Sequence, residues 1–383
     1  MSHELPALPL VAAFSRELYH CSDCSYCVDA VWAARGIDGV CPTLAHHDSR
    51  PAYSGRGYLA AARAWLEGRA LEEDVLAERV FTCTGCGNCE TVCPIGLHPR
   101  AVNAALRGEL LARERAPGPI AALLDALAAE DNPHGRPREA RRAWASQLAF
   151  ETAAPEVLYF AGCAAVYSRP AEARAVVAVL QAAGVRVALP GDEPCCGAPA
   201  GELGDHVAAA ASNAAFVAAL APAQHATLVY SGLECRSQVL SSFPDSLSFA
   251  EWCLQALAAG RLRAVPRGTL PAIAVFESCQ ARGTPAATAV RAVLAKLDVP
   301  IANPAPAPHG VCCGAGGGMP AMQPVAAARM ASAKLAATAG AGTIVGADVR
   351  CLAHLEAARG PGDPAVATLA EFLVTHFDLG GAT

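Results

Sequence analysis

Sixteen of the seventeen cysteines in this 383-residue chain fall into four groups, and their spacing constrains the fold more than any other feature of the sequence. Two groups lie before residue 100: Cys21-x2-Cys24-x2-Cys27 with Cys41-Pro42, and Cys83-x2-Cys86-x2-Cys89-x3-Cys93-Pro94. Each run sets three thiolates on one short loop, an arrangement suited to an iron–sulfur cluster. The other two groups repeat one pattern: Cys163, Cys195, Cys196 and Cys235, then Cys279, Cys312, Cys313 and Cys351, with a glycine after each Cys-Cys pair.

The second run has the spacing of bacterial two-cluster ferredoxins, in which the cysteine before proline serves the other cluster. That rule assigns Cys21, Cys24, Cys27 and Cys93 to one 4Fe–4S cluster and Cys83, Cys86, Cys89 and Cys41 to the other. Zinc is the rival, but its structural sites pair two Cys-x2-Cys knuckles in a tetrahedron, a poorer fit to three cysteines at successive threes. The first run is a variant, with 13 residues, Val28 to Val40, between Cys27 and Cys41. This loop must bulge from its cluster and is a candidate cover or docking surface.

The rest of the composition narrows the class. The length suits two to three domains. With 17% charged residues and a net charge of −6, no basic face is available to track nucleic acid. Pro6 to Phe14 is apolar but lacks a basic region before it, so it reads as no signal peptide. No segment is apolar for long enough to span a membrane. A cytoplasmic location is expected, peripheral to the inner membrane only through a partner, and in a reducing compartment so many cysteines are better explained as metal ligands than as disulfides.

After residue 150 the chain repeats itself. Cys163 and Cys279 are 116 apart, Cys195 and Cys312 are 117 apart, and Cys235 and Cys351 are 116 apart. Each copy alternates β-branched runs with alanine-rich helical stretches, and self-similarity at a fixed period points to two copies of one domain. In the first copy the pattern predicts strands Val157–Phe160, Val185–Leu189 and Thr227–Tyr230, and helices Ala171–Ala183, Asp205–Leu220 and Ser248–Ala259. Such alternation gives a parallel sheet with right-handed crossovers. The cysteines follow the strands, at the edge where such sheets bind ligands. The glycine run Gly314 to Gly318 lacks the Lys-Ser/Thr of a phosphate loop.

On these residues the chain resembles the cysteine-rich "CCG" proteins, in which a two-cluster ferredoxin domain precedes two CCG domains. Cys86-Gly-Asn-Cys-Glu-Thr-Val-Cys-Pro94, Phe160-Ala-Gly-Cys163, Glu193-Pro-Cys-Cys-Gly197, Cys312-Cys-Gly-Ala-Gly-Gly-Gly-Met319 and Ser54-Gly-Arg-Gly57 carry the resemblance. The family includes iron–sulfur subunits of glycolate oxidase, of anaerobic glycerol-3-phosphate dehydrogenase and of lactate utilisation, and the ferredoxin-bearing heterodisulfide reductase subunit. The full CCG motif ends in Cys-x2-Cys, whereas this chain has Gly232 and Asp348 at the first of those positions. In heterodisulfide reductases the five-cysteine motif is associated with a noncubane cluster that reduces disulfides. Four ligands in each repeat suit one ordinary 4Fe–4S cluster that relays electrons.

Other candidates read as structural. Cys253 lies outside the pattern and is expected to be a small core residue. His20, His98 and His309 flank the motifs without being read as ligands, and His46-His47-Asp48 reads as a loop without metal. Arg136 to Arg142 reads as a solvated linker helix.

The expected fold is α+β and multidomain: a helical two-cluster ferredoxin-like domain with linker over 1–150, then two repeated α/β domains with parallel sheets over 151–265 and 266–383. The expected function is an electron-transfer subunit within a hetero-oligomer, between a flavoprotein dehydrogenase and a second acceptor such as a quinone. No residue set for organic catalysis and no flavin or nicotinamide fingerprint stands out. A disulfide reductase with an active CCG cluster is the alternative. A third is a docking platform whose CCG sites are vestigial or hold zinc.

Overall fold

A computed structural model describes residues 10–29, 31–32, 37–38, 40–150, 154–221, 225–303, 312–338 and 340–381. His309, residues 30, 33–36 and 39 of the Val28–Val40 loop and the first residues of Pro6–Phe14 lie outside them. The chain divides into two compact units: Met1–Ala122 with Pro199–His206 and Ala307–Ala327, and Leu123–Ala198 with Val207–Pro306 and Ala328–Thr383.

The first unit is mainly helical. Helix Gly55–Leu66 buries Tyr58, Leu59, Ala61 and Ala62, and helix Pro99–Leu111 buries Val102, Ala105, Leu106 and Leu110, the spacing of an apolar helical stripe. The two helices pack on each other. Pro99 opens the second, where its missing N–H costs no hydrogen bond. Within the long loop after Cys27, strands β1 (Val31–Trp32) and β2 (Ile37–Asp38) pair antiparallel.

In the second unit, β3 (Val157–Phe160), β4 (Val187–Ala188), β5 (Thr227–Tyr230) and β6 (Leu247–Ser248) form a parallel sheet in the order β4-β3-β5-β6. After β7 (Leu262–Pro266), the next copy forms a parallel sheet from β8 (Ile273–Phe276), β9 (Thr343–Gly346) and β10 (Ala365–Thr368), in the order β10-β9-β8. A parallel bridge from Ile273 to Ile301 supplies the counterpart of β4. The three strands expected in the first copy are present, with the second shortened to two residues, and its helices run Pro170–Ala182, His206–Leu220 and Phe249–Ala258.

The copies pack in a reciprocal manner. Helix Pro170–Ala182 of the first lies against Leu369–His376 of the second, and Phe249–Ala258 of the first lies against Pro285–Lys296 of the second. The last helix of each copy starts with the same device. Ser248 and Glu251, and Thr368 and Glu371, form capping boxes that satisfy backbone N–H groups at the helix start. Strand β11 (Phe377–Gly381) returns to pair antiparallel with β7, an element that the βαβ alternation does not predict. Cys253 is fully buried in the apolar core with Tyr159, Val176 and Phe372.

A buried carboxyl joins the copies. Glu172 accepts a hydrogen bond from the Thr368 hydroxyl, and burial pushes it from the ordinary 4.5 up to about 7. The fold therefore favours the neutral acid. Between these two values the unfolded chain ionises first, so the native state binds more protons and stability falls as pH rises. Below the lower value the contribution is complete, and above the upper value it is lost. At about 1.4 kcal/mol per pKa unit, the change is about 3 kcal/mol. Glu172→Gln should flatten this slope in denaturant unfolding measured from pH 5 to 8, and an unchanged slope would refute the assignment.

Candidate iron–sulfur sites

Cys21, Cys24, Cys27 and Cys93 line one cavity, together with Arg56, Leu59 and Leu97. The loop turns sharply because Asp23 and Ser25 take φ of 53° and 65°, conformations costly for residues with a Cβ. Arg56 braces it, donating to Ser25 Oγ at 2.6 Å and pairing with Asp23 at 3.4 Å. The Leu97 N–H donates to Cys93 Sγ at 3.4 Å. Burial, with the Cys21 thiol beside it, pushes the Cys27 thiol up to about 11.

Cys41, Cys83, Cys86 and Cys89 line a second cavity with Thr43, Gly55, Tyr58 and Thr84, and Cys89 also reaches the wall of the first. Burial pushes the Cys41 thiol up to about 12, and it raises Cys83 and Cys89 as well. Such thiols stay neutral until a cation stabilises their anions, so loading with iron releases protons. Two further observations fit a cluster here. The buried Tyr58 hydroxyl lies near Thr82 but has no hydrogen-bond partner, leaving a donor for a cluster or thiolate sulfur. A Cβ on Gly55 would stand 2.7 Å from Cys89 Cβ, so only glycine lets this helix start approach the site so closely.

The first repeat supplies a third group. Cys163 follows β3, Cys195 and Cys196 follow β4, and Cys235 follows β5. Their thiols are close neighbours in the order Cys163, Cys195, Cys196, Cys235, and each acts on the protonation of the next. Donation from Cys163 and Cys196 favours the Cys195 thiolate and lowers its pKa, while the donation itself raises Cys163 and Cys196. Among the described residues, no three or more His, Cys, Asp or Glu side chains gather around a single-ion point. Gly197 has φ of +85°, and a Cβ there would meet Ala209 O at 2.4 Å. Only glycine fits.

Polar support for this group comes from residues that carry no motif in the sequence. Asp131 accepts from the Cys195 N–H at 2.9 Å and pairs with Arg141 at 3.3 Å. Arg141 also donates to the Glu193 carbonyl, and the Glu193 carboxyl accepts from the Gly162 N–H at 2.8 Å. The solvated-linker reading of Arg136 to Arg142 is therefore corrected at Arg141, while Arg136, Arg138 and Arg142 are exposed. Residues 138–145 form a 3-10 helix in which Arg141 and Trp144 are buried, Arg141 because carboxylate and carbonyl groups surround its guanidinium.

The second repeat's cysteines are divided between the units. In the second unit, Cys279 opens a short turn after β8, and Cys351 lies in helix Val349–Ala358. Asp348 caps that helix: its carboxylate accepts from the Cys351 N–H at 3.0 Å and from the Ser278 hydroxyl. In the first unit, Gly314 N–H donates to Cys312 Sγ and Ala315 N–H to Cys313 Sγ, each at 3.4 Å. Gly85 N–H makes the same bond to Cys83 Sγ at 3.4 Å. Among the histidines, His98 is bound to Glu17 at 3.1 Å and His47 stacks on Tyr53 at 3.8 Å.

Residues 17–97 match the family described as a 4Fe-4S dicluster domain, and residues 157–239 and 273–356 each match the family described as a cysteine-rich domain. The chain is similar to one subunit of the dihydromethanophenazine:CoB–CoM heterodisulfide reductases from Methanosarcina barkeri, Methanosarcina mazei and Methanosarcina acetivorans. Each is 28% identical over 204 residues, covering 49% of this chain and 47% of the relative. The chain thus spans about half the length of the curated relatives it matches. Among the described residues, no helix is long and apolar enough to cross a membrane.

Proposed function

Because this chain belongs to the family that joins a 4Fe–4S dicluster domain to two cysteine-rich domains, we propose that it is the electron-transfer subunit of a hetero-oligomeric oxidoreductase. It passes single electrons between a flavoprotein dehydrogenase and a second acceptor, such as a quinone, in the cytoplasm or at a membrane face reached through a partner. When bound, the 4Fe–4S clusters supply one-electron oxidation and reduction. The domains divide at 1–150, 151–265 and 266–383.

The observation that carries this reading is the crossed lining of the two cavities, with Cys93 beside Cys21, Cys24 and Cys27, and Cys41 beside Cys83, Cys86 and Cys89. It supports these two quartets as ligand sets. We extend the proposal to Cys163, Cys195, Cys196 and Cys235 as a third set and, by the sequence repeat alone, to Cys279, Cys312, Cys313 and Cys351 as a fourth. Buried thiols next to Arg141 or to backbone N–H donors suit anionic clusters.

Disulfide reduction is the second reading, favoured by the names of the relatives. Against it stands Asp348, whose carboxylate is already engaged as a helix cap at the position where the longer motif has its extra cysteine. Gly232, at the same position in the first repeat, has no side chain to ligate. With reduced viologen as donor, the protein should leave a small heterodisulfide unreduced. Robust turnover that disappears in Cys313→Ser would establish the reductase instead.

A further inference from the structure

In the first repeat, a neighbouring side chain fills the place of the missing fifth cysteine. Gly232 stands just before the 3-10 turn Leu233–Cys235 with φ of −77° and ψ of 116°, a conformation open to residues with a Cβ. The backbone therefore gives no reason for a glycine here. A Cβ at this position would stand 2.4 Å from Glu234 Oε1, 2.7 Å from Glu234 Cδ and 2.9 Å from Glu234 Oε2. All three atoms belong to one carboxylate, so what the glycine makes room for is the Glu234 side chain.

Glu234 is only 6% exposed, and its carboxylate lies within electrostatic reach of the Cys163 and Cys235 thiols. A buried anion beside thiols that ionise on binding a metal is costly without charge of the opposite sign. Arg141 acts on Cys163 and Cys195, and Arg350, from the second copy, acts on Cys235. The repeats differ at this point. In the second, the positions equivalent to Gly232 and Glu234 are Asp348 and Arg350, and the Asp348 carboxylate accepts from the Cys351 N–H and the Ser278 hydroxyl. The first repeat carries its carboxylate two residues later, against its own cysteines.

We propose that Glu234 sets the reduction potential of the first-repeat site: its carboxylate holds the space of the fifth cysteine as a fixed negative charge, not as a ligand, and Gly232 is the residue that admits it. This rests on the reading of Cys163, Cys195, Cys196 and Cys235 as ligands of one 4Fe–4S cluster, and it gives a role to a residue outside that set. On reduction one electron enters the cluster from the reductant, no bond is made or broken, and the site gains one negative charge. A buried anion nearby opposes that charge and so lowers the potential.

The test uses the full chain, purified anaerobically with its iron and titrated with dithionite while electron paramagnetic resonance is recorded. The first-repeat signal is the one lost in Cys163→Ser. Glu234→Gln keeps the shape and removes the charge, and it should move the midpoint potential of that signal upward. Gly232→Ala should move it the same way, because the added methyl displaces the carboxylate, and it should have no further effect in a Glu234→Ala background. A side chain that only packs would leave the midpoint in place. An unchanged or lowered midpoint in Glu234→Gln, with the signal retained, would overturn the proposal and leave the cluster reading standing. A loss of about four iron atoms in Glu234→Gln would overturn it as well, by making Glu234 a ligand. A Gly232→Ala shift that persists in the Glu234→Ala background would refute the part given to Gly232. If no signal of the unmodified protein is lost in Cys163→Ser, the cluster reading of this repeat falls and the proposal with it.

Discussion

Cys41→Ser will empty the site of Cys83, Cys86 and Cys89, and it will leave the Cys21 site filled, with a loss of about four iron atoms per chain. Sequence order would argue otherwise, since Cys41 follows Cys27 by a 13-residue loop and precedes Cys83 by far more. The fold places it differently. Cys41 faces the cavity of Cys83, Cys86 and Cys89, held there by contacts of its sulfur with Thr43 Oγ1 at 3.1 Å and the Tyr53 carbonyl at 3.3 Å. A serine would put a harder and shorter ligand where a soft thiolate is favoured. Iron analysis and low-temperature spectra read the result. If the lost signal is the one that Cys21→Ser also removes, the crossed assignment is wrong.

Total iron tests the remaining quartets. Four cubane clusters predict about 16 iron atoms per chain after anaerobic purification. The first repeat gives a physical ground for its share, because its four thiols are close neighbours that act on one another's protonation, with Arg141 favouring the Cys195 thiolate. Cys163→Ser should lower the total by about four. A total near eight would mean that the repeats hold no iron, and zinc in its place would favour the docking-platform reading.

The two cysteine groups before residue 100 are the most legible, because ligand spacing is a local property, and their thiols line two cavities in the crossed arrangement that the spacing suggests. The repeat is legible too, since a common period of 116 or 117 residues places equivalent strands and helices together. The capping boxes at Ser248 and Thr368 belong to the same local grammar.

Less legible are contacts that depend on where distant segments meet. Arg141 reads as one more exposed arginine until Asp131 and Glu193 are seen around it. Tyr58 and Thr84 carry no motif, and their roles arise from burial and from the segments that fold over them. Asp348 reads in the sequence only as a missing cysteine ligand, although an aspartate three residues before Cys351 at a helix start also fits an N-cap. The β7–β11 pair escapes the sequence pattern because the strands close the two copies from far apart and lack clean alternation.

Counting electrons tests the central claim most directly. Anaerobic titration of the iron-loaded chain with a calibrated low-potential reductant, followed by optical bleaching and paramagnetic resonance, should show uptake of about four electrons per chain, one for each cubane cluster. The same protein should return them to an oxidising dye. Uptake of only about two, confined to the signals that Cys21→Ser and Cys83→Ser remove, would contradict a relay that runs through both repeats.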